Sequence, residues 1–71
     1  MIDINALNDA IKEKGVSVRD LAKQLYMDPA TLYRKFKNPD NLTIKEVNSI
    51  VKILGLSFNQ AKSIFFSEIV A

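Results

Sequence analysis

The feature that most constrains this chain is its punctuation. Polar residues suited to helix starts alternate with short apolar runs at helical spacing, and the two glycines fall where such runs end. Asp3 precedes Ile4, Leu7 and Ile11, which predicts a helix over about residues 4–14, closed by Gly15 in the left-handed conformation. Ser17 can accept from a free backbone N–H, and Asp20 suits the positive helix start. Val18, Leu21, Ala22 and Leu25 then follow the i, i+3, i+4, i+7 pattern of one buried face. Asp28-Pro29 opens a third helix, because proline lacks an N–H where none is needed, and Leu32 and Phe36 form its buried stripe. Asn38-Pro39-Asp40-Asn41 reads as a loop. Thr43-Ile44-Lys45-Glu46 is a capping box, followed by Val47, Ile50, Val51 and Leu54 and closed by Gly55. Ser57-Phe58-Asn59-Gln60 is a second box, opening a helix with Phe58, Ala61, Ile64 and Phe65 on its apolar side. No segment sustains period-two alternation, so no strand is predicted. The expectation is all-α: a compact five-helix bundle forming a single domain over residues 1–71.

Composition enters through what is missing. The chain has 71 residues and no Cys, His or Trp. Disulfides and the usual zinc ligands are therefore unavailable, and a fold this small must stand on regular packing. Ser-His-Asp, Cys-His and His-metal chemistry is excluded for the same reason. Gly15 and Gly55 lie forty residues apart, so there is no glycine-rich phosphate loop. The longest apolar run falls far short of the roughly 18 residues of a membrane helix. Met1-Ile2-Asp3-Ile4-Asn5 lacks the basic and apolar regions of a signal peptide. Asp3, Asp20, Asp28 and Glu46 all sit at helix starts, which accounts for them without an acid–base pair. A binding module is expected rather than an enzyme, with no catalytic residue, metal or cofactor.

The second and third helices are the informative unit. Two short helices joined through Tyr26-Met27, the second capped by Asp28, have the spacing of a helix-turn-helix over about residues 17–37. Leu21-Ala22-Lys23-Gln24-Leu25, Tyr26-Met27-Asp28 and Thr31-Leu32-Tyr33-Arg34-Lys35-Phe36 together resemble the lambda-repressor-like family, of Cro/repressor or xenobiotic-response-element type. The helix from Thr43 to Leu54, with Gly55-Leu56-Ser57 after it, is similar to the family's fourth helix and its exit. Ile64-Phe65-Phe66 is similar to the ends of small phage-encoded members. The resemblance covers roughly residues 4–66.

The resemblance implies that the opening of the third helix reads base edges. Here those positions are Pro29, Ala30, Thr31, Tyr33 and Arg34. Arg34 can fork onto guanine, and Tyr33 offers a ring and a hydroxyl. Arg19, Lys35, Lys37 and Asn38 are placed to reach phosphate. Ser17 to Arg19, and Asn41 to Thr43, can offer backbone N–H groups to phosphates. The charge map agrees in direction: residues 1–16 are net −1, residues 17–45 net +3 and residues 46–71 net zero, within a formal +2. The chain also departs from the family. Val18 and Pro29 stand where glutamines are common, and Tyr26 stands at the usual turn glycine, which would cost about 1–2 kcal/mol if its backbone is left-handed.

Two functions follow from one surface. The first is a phage-type regulator in a genetic switch. It binds double-stranded operator DNA as a homodimer, through C-terminal contacts from Phe66, Ile69 and Val70. The second is an antirepressor, whose recognition helix docks onto a repressor protein and blocks its DNA binding. The apolar Pro29, Ala30, Tyr33 and Met27, rimmed by Arg34 and Lys35, suit that use. Either implies a cytoplasmic protein of a bacterial host, the first associated with the nucleoid, with no membrane and no small-molecule substrate.

Overall fold

The computed structural model describes residues 2–66. Five α-helices follow in order: α1 (Ile4–Glu13), α2 (Val18–Gln24), α3 (Pro29–Lys37), α4 (Ile44–Leu54) and α5 (Phe58–Phe65), with no strand among the described residues. A short 3-10 turn, Pro39–Asn41, tightens the connection between α3 and α4. None of these helices is long and apolar enough to cross a membrane.

Each start is capped as its residues dictate. Asp3 accepts from the Ala6 N–H at 3.0 Å and Asp28 from the Ala30 N–H at 2.8 Å. Ser17 with Asp20, Thr43 with Glu46 and Ser57 with Gln60 each close a reciprocal capping box. The ends follow one rule as well. Gly15, Tyr26 and Gly55 have positive φ. The next residue, Val16, Met27 or Leu56, donates its N–H to the carbonyl five positions back. That bond, with an apolar side chain turned inward behind it, is the Schellman closure.

Tyr26 is the one non-glycine with positive φ, +57°, among the described residues, and its side chain is 99% exposed. Packing of the ring therefore does not offset the backbone strain. Tyr26→Gly relieves about 1–2 kcal/mol of backbone strain and costs about 0.5–1 kcal/mol of chain entropy. The expected net gain is a melting temperature raised on the order of 4 °C, read by circular dichroism. An unchanged or lower melting temperature would contradict this account of the turn.

The core is continuous. Leu7, Leu21, Leu32 and Ile50 are fully buried, one from each of α1 to α4, and Ile64 and Phe65 add α5. α1 packs on α5, and α2 packs on both α3 and α4. The Asp3 N–H donates to the Ile64 carbonyl at 2.7 Å and pins the start of the chain to α5. No buried side-chain polar atom among the described residues lacks a partner. One expectation fails: Phe58, assigned to the apolar side of α5, is 78% exposed. It occupies the first position of α5, where the groove between α4 and α5 is open, and its ring meets the Lys62 ammonium at 5.5 Å instead of the core.

Candidate nucleic-acid interface

The helix-turn-helix is built from the core outward. Leu21 and Ala22 of α2 and Leu32 and Phe36 of α3 are buried, so the shared interior sets where α3 sits. At about 100° per residue, the opposite side of α3 carries Ala30, Tyr33, Arg34 and Lys37. All four are exposed, and they form one face. Pro29 and Thr31 are half-buried at its edges. Arg34 donates from Nη2 to Thr31 Oγ1 at 3.3 Å, which draws the guanidinium toward the N-terminal end of α3.

Below this face lies a cleft of about 350 Å³, bordered by Thr31, Arg34, Lys35, Lys37, Asn38 and Asn41. These residues come from the length of α3, its C-cap Asn38 and the 3-10 turn, which brings Asn41 back to the cleft. Arg19 is exposed on the first turn of α2. An exposed face rimmed by cations and amides is chemically equipped to meet a polyanion.

Several residues assigned to phosphate are occupied within the chain. The Ser17 N–H donates to Asp20 Oδ2 at 3.3 Å, the Thr43 N–H to Glu46 Oε1 at 2.9 Å and the Asn41 N–H to the Asn38 carbonyl at 2.9 Å. A phosphate reaches these groups only by displacing a cap or a turn bond. Lys35 Nζ donates to both oxygens of Glu46, at 2.9 and 2.7 Å, with the two side chains 24% and 18% exposed. Phe66 is half-exposed, whereas Ile69 and Val70 lie outside the described residues.

The spacing of Glu46 from Thr43 shows a cap, but no sequence signal shows its pairing with Lys35. Partial burial pushes its carboxyl pKa up, but the Lys35 ammonium and the Thr43 N–H and hydroxyl outweigh burial, and the carboxyl is held below its ordinary value. The unfolded chain therefore binds this proton more tightly than the folded one. The stability of the pair is complete above the ordinary carboxylate range and is lost as pH falls through the lowered value. At this exposure the loss is on the order of 1 kcal/mol. Urea unfolding between neutral and acid pH should show wild type losing more stability than Glu46→Gln, and equal losses would contradict the assignment.

Over residues 6–61 the sequence matches the family model of the Cro/C1-type HTH DNA-binding domain. No curated protein and no solved structure matches the chain. The matched span takes in all of α2, α3 and α4, the whole helix-turn-helix among them. The chain belongs to the Cro/C1-type helix-turn-helix family and carries the DNA-binding domain of a transcription regulator.

Proposed function

We propose that this chain is a phage-type regulator acting in a genetic switch, with the outer face of α3 set into the major groove of operator DNA. The observation that carries the reading is the two-sidedness of α3: Leu32 and Phe36 anchor one side, and Ala30, Tyr33, Arg34 and Lys37 stand free on the other. In this reading Arg34 reads a guanine and Tyr33 a neighbouring base edge. Pro29, Ala30 and Thr31 lie against the groove wall or a thymine methyl, and Arg19, Lys37, Asn38 and Asn41 hold phosphates. The domain is a single unit and binds as a homodimer. Phe66, together with the exposed Phe58 along the α4–α5 groove, supplies the apolar face that a second copy covers.

The test is binding to a duplex selected from a randomised pool, followed by fluorescence anisotropy across a salt series. Affinity is expected to fall with a log–log slope of about −0.9 for each phosphate neutralised, with two chains per duplex. Phe58→Asp should leave one chain per duplex and weaken binding.

A second reading, the antirepressor, is favoured by Tyr26. An aromatic ring held in solvent at a strained position suits a protein partner better than phosphate. If the wild-type chain binds no duplex at about 50 mM salt but co-elutes with a repressor encoded beside it, the second reading replaces the first.

A further inference from the structure

Lys35 has the charge of a phosphate ligand, but its ammonium is taken within the chain. At about 100° per residue it lies some 160° around α3 from both Tyr33 and Lys37, off the face that stands free. The residue borders the basic cleft, while its ammonium rests on both oxygens of Glu46, at 2.9 and 2.7 Å. Glu46 is itself held in place, because Oε1 also accepts from the Thr43 N–H and the Glu46 N–H donates to Thr43 Oγ1 at 3.1 Å. One carboxylate thus caps α4 and grips the last turn of α3. Among the described residues, no other side-chain hydrogen bond joins two helices. α3 is seated on α2 by apolar side chains, which are non-directional. A doubly bonded ammonium is directional, and it fixes how far the C-terminal end of α3 swings relative to α4.

We infer that Lys35 and Glu46 are a pair of positioning residues that set the pitch of the recognition helix, and that Lys35 is not a phosphate contact. Sequence discrimination then depends on the pair, because base contacts require α3 at one pitch, whereas the number of phosphates neutralised does not. The inference rests on DNA binding as proposed above.

Glu46→Gln makes a clean test, since glutamine also closes a capping box, as Gln60 does at the start of α5. The variant keeps the cap and removes the ionic grip. The probes are a duplex selected by the wild-type chain from a randomised pool and the same duplex with its base order shuffled, each titrated over a range of salt. Lys35→Gln and Glu46→Gln are each expected to reduce the selected-to-shuffled affinity ratio by about fivefold. The double variant should lose no more than either single one, and the salt slope should not change. Lys35→Arg, which keeps the pair, should retain the ratio. If Lys35 instead touches phosphate, Lys35→Gln flattens the slope by about 0.9, and Glu46→Gln tightens binding to both duplexes by removing a nearby negative charge. That pattern overturns the inference. A wild-type chain that enriches no duplex from the pool removes the proposed function and this inference with it. It is distinguished from the other failure because it appears before any variant is made.

Discussion

Leu32→Ala is expected to leave most of the chain unfolded at room temperature. Leu32 is wholly buried on the inner side of α3, in the cluster that also takes in Leu7, Leu21 and Ile50. Removing its side chain costs about 2–5 kcal/mol, through lost transfer energy and the cavity left behind. A single core at this size supplies only about 3–5 kcal/mol of net stability. The chain has no cysteine, so no disulfide offsets the loss. Circular dichroism should show a melting temperature at or below ambient, with DNA binding lost at the same time. Tyr33→Ala, one position along but exposed, should melt within a few degrees of wild type. A Leu32→Ala chain that melts as wild type does would mean that the helices do not share one cooperative core.

Arg34→Ala is expected to give the largest loss of base discrimination. A bidentate arginine on guanine contributes about 1–3 kcal/mol of discrimination, roughly 5- to 150-fold in affinity. Arg34 is exposed on the free face of α3 and steadied by the Thr31 hydroxyl, so its loss leaves the fold intact. Selection from a randomised pool should show relaxed preference at one base position in each half-site. Lys37→Ala should behave differently, weakening binding to every duplex alike and reducing the salt slope by about 0.9. An Arg34→Ala chain with an unchanged selected sequence would remove Arg34 from the reading face.

Much of the fold was legible in the chain because its signals are local. A cap acts over three residues, as in Thr43 with Glu46 or Ser57 with Gln60. Gly15 and Gly55 mark left-handed positions by their identity, while Tyr26 hides one. The resemblance marks that turn, because a glycine is usual where Tyr26 stands, and Met27 takes the place that Val16 and Leu56 occupy after the two glycines. The outer face of α3 was also legible in part, since the burial of Leu32 and Phe36 leaves Tyr33 and Arg34 outward on a helix.

What the sequence by itself determined is where each helix begins, where the glycines close α1 and α4, and that the whole is all-α. Those choices depend on hydrogen bonds between residues a few positions apart. What only the tertiary structure decided is which groups remain available. Lys35 and Glu46 are eleven positions apart on different helices, and nothing in their spacing shows that they meet. Phe58 has the spacing of a core residue, yet it lies beside an open groove, because burial requires a neighbouring element as well as a periodic stripe. The N–H groups of Ser17 and Thr43, open to phosphate on paper, are taken by the same carboxylates that start their helices. Backbone propensity is a property of a segment, whereas occupancy of a charge or an apolar ring depends on what the folded chain brings within a few ångströms of it.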